Sequence, residues 1–195
     1  IPQKSSTDAT AAAGLAGLLG LAGVVKAATQ KGERDYQEDR YVTADVSIKG
    51  TKNGRGKLMA VMDGHGGSNV AEMAAQNVQR SFEAALQNSG GDINEALRQS
   101  VQSLHELTKD QSTGGTTVSI VFVPENQTRA YVAVLGDSPV IIVDDQGQLN
   151  ISPEHNARTN MDDRNAAVQR GAFYAEQAGG IVVRTQKGLQ RLQMT

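Results

Sequence analysis

The chain has 195 residues, 38% of them hydrophobic and only 4% aromatic, with 21 Gly and no Trp; this is one domain's length and predicts a core of Val, Ile, Leu and Ala with many tight turns. Its 19 Lys and Arg against 21 Asp and Glu leave a net charge of −2, and no basic stripe interleaves with aromatics, so nucleic-acid binding has little support. The absence of Cys excludes disulfides, thiolate metal sites and Cys nucleophiles.

Ile at position 1 is read as the mark of an excised or processed piece. Residues 10–25 are uncharged and mostly Ala, Gly and Leu, shorter than the roughly 20 apolar residues that span a bilayer. They read as an internal linker or weakly ordered helix, with a targeting remnant as the alternative. Residues 1–23 are therefore set apart as an N-terminal Ala/Gly-rich extension from a domain over 24–195. Strands are predicted at 41–47 and 57–62, around a polar, Gly-rich turn at 49–56. Ser68 opens an amphipathic helix with Val70, Met73, Ala74, Val78, Phe82, Ala85 and Leu86 on one face, closed by Asn88-Ser-Gly-Gly91. Asp92 and Glu95 resemble a capping box ahead of a second helix carrying Ile93, Ala96, Leu97, Val101, Leu104 and Leu107. Strands follow at 116–123, 129–135 and 139–143, with short turns that predict antiparallel pairing. A helix near 162–170 and a strand at 181–184 complete the pattern. Hairpin strands with two consecutive helices covering a face indicate an α+β layered fold.

Three places could carry chemistry. In Arg34-Asp-Tyr-Gln-Glu38-Asp39 a planar guanidinium suited to phosphate oxygens precedes two adjacent carboxylates, whose crowded charge calls for a cation or water to share it. Taken alone, such a run is more often a solvated turn. Asp63-Gly-His-Gly-Gly67 places a carboxylate at the end of an apolar strand, where it can hold a hard divalent cation; Gly lets a carbonyl approach the same ion, and His65 could donate a proton to a leaving group. The bland reading, a Gly-rich strand-to-helix turn, has equal weight at this point. Gly136-Asp137-Ser138 sets an acid between two strands, where an Asp commonly bonds only its own backbone.

In this order the three resemble the type 2C family of metal-dependent protein serine/threonine phosphatases. The family's opening motif matches Arg34, Glu38 and Asp39, and its Asp-Gly-His-Gly-Gly signature matches residues 63–67 in full. The Ser-Gly-Thr-Thr-like strand entry matches residues 112–117, and Gly-Asp-Ser matches 136–138. Glu154-His-Asn156 and Gly179-Gly180 fit later motifs more loosely. The resemblance implies a layered sandwich of two mainly antiparallel sheets flanked by helices, with the C-terminal part missing. It also implies a binuclear Mg2+ or Mn2+ site, with a third ion in some members, acting on a phosphoprotein substrate; localisation is not readable from the sequence, an intracellular setting being favoured. On that resemblance Asp63 bridges the ions, the Gly64 carbonyl binds one, and Glu38 and Asp39 hold the ions or their waters. Arg34 grips the phosphate, His65 protonates the departing oxygen, and Asp137 serves the third ion.

Two departures stand out. Pro139 replaces an Arg usual in the family, which predicts an edge position or a bulge. After Asp163 the only acid is Glu176, so two C-terminal Asp ligands have no counterpart and at most half a binuclear site is expected. The chain is thus expected to be one piece of an active phosphatase, completed by a C-terminal segment or a second chain. The alternative is a truncated or degenerate relative acting as a non-catalytic binding or regulatory module. Intact Arg34, Glu38, Asp39, Asp63 and His65 favour the former. Nucleotide binding has little support, since neither GxGxxG nor GxxxxGK[ST] occurs at 63–68.

Overall fold

The computed structural model describes residues 25–33, 35–111, 113–125, 127–175, 180–185 and 188–192. The N-terminal extension, Arg34, Ser112 and Gly179 lie outside the described residues. The alternating stretch after Asp39 forms β1 (Arg40–Ser47), which returns through the polar turn into β2 (Arg55–Met62). A two-residue strand β3 (Gly64–His65) follows, then helices α1 (Asn69–Asn88) and α2 (Ile93–Thr108). Next come β4 (Gly115–Thr116), β5 (Val118–Pro124) and β6 (Tyr131–Leu135). Strands β1-β2-β5-β6 make one antiparallel sheet in that order, and β3 pairs with β4 beside it.

Register decides which side chains share a face. Val42, Ala60, Ile120 and Ala133 are cross-strand partners, as are Ala44, Leu58, Phe122 and Tyr131. Both rows face the helices and join Val78, Phe82, Leu86, Leu97 and Leu104 in one core. Phe82 and Phe122 meet with centroids 4.6 Å apart at a tilt of 48°, joining α1 to the sheet. Each fully buried side chain of this size contributes about 1.5–3 kcal/mol, which is why two apolar helix stripes suffice to fix the layer.

The helices follow the sequence with informative exceptions. Ala71 is buried in α1 while Met73 is only partly covered, and in α2 Leu107 is exposed while Ser100 is fully buried. Ser100 is tolerated there because its hydroxyl donates to the Ala96 carbonyl at 2.6 Å. Asp92 caps α2 by accepting from the Glu95 N–H at 3.1 Å, but Glu95 turns to Arg98 and Gln99 instead of completing the box.

The expected pairing of β6 with the next strand is corrected by the structure. β7 (Ile141–Val143) pairs with β8 (Leu149–Ile151) in a separate ribbon, and β6 pairs with β5. Pro139 has no N–H for a ladder, and Ser138 is held by hydroxyls of the β5 side, so the chain leaves the sheet at 136–138. A further helix, α3 (Met161–Gln169), is capped by Asn160 and packs near β9 (Phe173–Ala175), with Arg164 stacked 4.6 Å from the Tyr174 ring. β9 joins β10 (Gly180–Thr185) and β11 (Gly188–Leu192) in a three-stranded antiparallel sheet. The α+β class, with antiparallel sheets and helices on one side of the main sheet, is as the sequence predicts. Among the described residues, no helix is long and apolar enough to cross a membrane.

Candidate functional site

Antiparallel topology collects the candidate residues at one end of the main sheet. Arg40 at the start of β1 pairs with Met62 at the end of β2, and Val118 at the start of β5 pairs with Leu135 at the end of β6. Asp39, Asp63, Thr117 and Asp137 therefore sit just beyond the ends of four consecutive strands. Neighbouring strands are about 4.8 Å apart, so carboxylates at these ends stand within electrostatic reach of one another.

Asp63 registers that proximity. Its carboxyl pKa is raised above the ordinary 3.8, first by desolvation, then by repulsion from and a side-chain hydrogen bond with Asp39, and by repulsion from Asp137, with His65 acting in the opposite direction. A hydrogen bond between two carboxyls requires a proton between them, and a divalent cation can take that proton's place. The donors are all hard oxygens, which suits Mg2+ or Mn2+. Among the described residues, no group of three or more His, Asp or Glu side chains forms a metal-holding cluster by itself. The set nonetheless fits a cation such as Mg2+, which keeps several waters and takes only one or two carboxylates.

The glycines around Asp63 are needed for contact rather than for flexibility alone. A Cβ on Gly64 would stand 2.4 Å from the Glu38 carbonyl oxygen, so the 36–39 loop can lie against this position only if residue 64 is Gly. A Cβ on Gly115 would stand 2.5 Å from His65 Nε2, which places the imidazole directly over the β4 backbone. Gly66 and Gly114, at φ of 67° and 82°, take left-handed turns that let the two segments meet.

Glu38 is buried, and its Oε1 accepts from the Gly67 N–H at 2.7 Å. One carboxylate oxygen is thereby committed to the loop entering α1. Asp137 is exposed, and its Oδ2 accepts from Asn156 Nδ2 at 3.1 Å. The adjacent His155 donates its N–H to the Gly136 carbonyl at 2.9 Å and pairs through Nδ1 with Asp163 at 2.8 Å. Thus the loosely matching 154–156 segment steadies the Asp137 turn.

Two supporting residues receive no role from the sequence. Arg40 donates through Nη1 to the carbonyls of Gln37 and Asp39 at 2.9 and 2.8 Å, and through Nε to Glu72 of α1. This ties the loop bearing Glu38 and Asp39 to the first helix and holds the Glu72 carboxyl below its ordinary range. Thr117 is the other: its hydroxyl accepts from the Asp63 N–H at 3.1 Å and bonds Ser138 Oγ at 2.8 Å. In the sequence it shows only as the last residue of the Ser-Gly-Thr-Thr-like strand entry over 112–117, a match that gives it no role.

Comparison with known proteins finds relatives in both sequence and fold. The sequence model of the family described as Protein phosphatase 2C matches residues 24–161. A protein of Oryza sativa subsp. japonica named "Probable protein phosphatase 2C 45" is 29% identical over 149 residues, covering 75% of this chain and 51% of that protein. The integrin-linked kinase-associated serine/threonine phosphatase 2C of Bos taurus is 28% identical over 156 residues, covering 66% of this chain and 40% of that protein. This chain therefore spans about half the length of such relatives, or less. A serine-threonine phosphatase 2C structure from Toxoplasma gondii matches in fold, with a TM-score of 0.60 at 16% identity, over 84% of this chain and 62% of that one.

Proposed function

The chain belongs to the protein phosphatase 2C family, and on that premise we propose that it hydrolyses phosphoserine and phosphothreonine in phosphoprotein substrates through a binuclear Mg2+ or Mn2+ site. The observation that carries this reading is the placement of Asp39, Asp63 and Asp137 just beyond strand ends on one side of the main sheet, where burial first and then repulsion between them disfavour an ionised Asp63 unless a cation is shared. Asp63, the Gly64 carbonyl and Asp39 would hold the ions, Glu38 would brace them through the Gly67 loop, and Asp137 would serve a looser third ion. Bound there, the cations would supply a water acidified enough to attack phosphorus and would screen the phosphate charge.

The remaining roles fall to this chain's own groups. Arg34 presents a planar fork of donors to two phosphate oxygens and orients the ester. His65, placed over Gly115, gives its proton to the departing serine or threonine oxygen, which is too basic to leave unprotonated. No covalent enzyme intermediate is needed, in keeping with a chain without Cys. Two further ligands would come from a C-terminal segment or a second chain. The absence of a self-sufficient cluster among the described residues favours, as the second reading, a non-catalytic module that binds a partner.

Hydrolysis of a phosphothreonine peptide with and without Mn2+, set beside Asp63→Asn, decides between them. Metal-dependent turnover abolished by Asp63→Asn is the expected result. A folded wild-type chain of confirmed mass that neither turns over nor binds Mn2+ in a calorimetric titration would leave the binding module standing.

A further inference from the structure

We propose that Thr117 is a positioning residue whose hydroxyl couples the Asp63 turn to the Asp137 turn and so sets the spacing of the two carboxylates. The inference rests on the phosphatase reading for its consequence, but its geometry does not.

Thr117 is buried, at 7% exposure; its N–H faces the Asp63 turn, and its hydroxyl reaches both turns. Its N–H donates to the Asp63 carbonyl at 2.9 Å, and its Oγ1 accepts from the Asp63 N–H at 3.1 Å. Asp63 is thereby held at both ends of its own backbone by one residue. The Thr116 hydroxyl adds a second donor to the Asp63 carbonyl at 3.1 Å. On the far side, Thr117 Oγ1 and Ser138 Oγ are 2.8 Å apart, and the Ser119 hydroxyl donates to the Ser138 carbonyl. Gly136, at φ 100°, has no Cβ because one would lie 2.8 Å from Thr117 Cγ2.

A hydroxyl offers one proton and two acceptor sites. One acceptor site of Thr117 takes the Asp63 N–H, and the bond to Ser138 uses the proton or the second site. Thr116 reaches the Asp63 turn and Ser119 reaches the Ser138 turn, whereas Thr117 bonds both. The strand order explains why: β5 lies between β2 and β6, so a residue at its head stands beside both strand ends that launch Asp63 and Asp137. A hydrophobic residue of the same shape would fill the space yet leave a partly buried amide without its acceptor.

Thr117→Val removes the hydroxyl at nearly constant shape, and Thr117→Ser keeps the hydroxyl while dropping the methyl. Two readouts on the full chain separate coupling from mere stability. In residue-resolved hydrogen exchange, Thr117→Val should strip protection from the Asp63 amide while the Ile120 amide keeps its own, and Thr117→Ser should retain both. In calorimetric titration with Mn2+, the valine variant should bind about tenfold more weakly, the usual scale for removing a group that orients ligands, and the serine variant should bind like wild type. Ser138→Ala cuts only the second link: exchange at 137 should quicken while Asp63 stays protected, and this variant carries the test if Thr117→Val does not fold. Wild-type protection at Asp63 in Thr117→Val, wild-type Mn2+ affinity in it, or failure of Thr117→Ser to behave like wild type would each overturn the proposal. A wild-type chain that binds no Mn2+ would instead refute the phosphatase reading, and hydrogen exchange would still decide the coupling.

Discussion

Gly115→Ala is a perturbation of a single methyl group whose effect can be followed from contact to rate. The backbone at 115 is ordinary strand, so alanine meets no conformational barrier there, and the strain falls on its cross-strand partner His65. The new Cβ would lie 2.5 Å from Nε2 and 2.6 Å from Cε1, whereas ordinary contact begins at 3.4 Å, so the imidazole must retreat by about 0.9 Å. A displacement of about 1 Å in a reacting group costs on the order of a hundredfold in rate, or about 2.7 kcal/mol of transition-state stabilisation. Because the strain falls on a single half-buried side chain, global stability should change by no more than about 1 kcal/mol. The assay compares kcat on a phosphothreonine peptide with kcat on p-nitrophenyl phosphate, whose phenolate leaves without a proton. A displaced general acid should slow the peptide about a hundredfold and the aryl ester only severalfold. Equal losses on both substrates, or no loss on either, would refute the placement of His65 as proton donor.

Two more predictions concern charge. Asp63 has a raised pKa in the folded chain, so between the ordinary 3.8 and that raised value the folded state binds more protons than the unfolded one. The associated stabilisation is complete below about pH 3.8 and is lost as pH rises through the raised value. Metal-free Asp63→Asn should accordingly melt at a higher temperature than wild type at neutral pH, with the gap closing as pH falls; a variant no more stable at pH 7 would contradict the crowding. Arg40→Met should cost about 1 kcal/mol in urea unfolding, since the bonds are only part-buried, and should weaken Mn2+ binding by loosening Asp39. Arg40→Lys should do little better, because a single ammonium cannot reach two carbonyls and Glu72 as a planar fork does. Recovery of wild-type Mn2+ affinity in Arg40→Lys would show that charge alone suffices.

Periodicity makes the main sheet and both long helices readable, because β1, β2, α1 and α2 each bury one face and expose the other, while β5 stands out as a continuous buried run. It cannot reveal β8, β9 or β11, which are three to five residues long and carry too few alternations to stand out from loops. The partner of β7 is misjudged because a short turn ordinarily pairs its flanking strands, and nothing local shows that Ser138 is drawn onto β5. At the site, the acids are visible as motifs, and Asp39 and Asp137 lie near enough to Asp63 for their charge to add to the effect of burial on its carboxyl. Arg40 is hidden inside a charge run, since its bonds to residues 37, 39 and 72 depend on helix α1 lying beside the loop. Thr117 is hidden for a related reason: a strand residue's hydroxyl is worth reading only once its neighbours on both sides are known. Arg34, the expected phosphate grip, lies outside the described residues and keeps its role as a proposal.

Among the described residues, the turns at the opposite end of the sheet are held by side-chain hydrogen bonds. There Asn53 donates to the Gly91 carbonyl at 2.9 Å, and Gln127 joins Asn53 to the Tyr131 hydroxyl through bonds of 2.8 Å. No acid of the metal set comes near them, for β1 and β2 run their full eight residues between the two ends. The molecule is polarised along its strands: one rim carries the acids of the proposed metal site and the other closes the turns. A tag, a label or an added loop should be borne at the closing rim at a cost in melting temperature, with the metal affinity of the far rim left where it was.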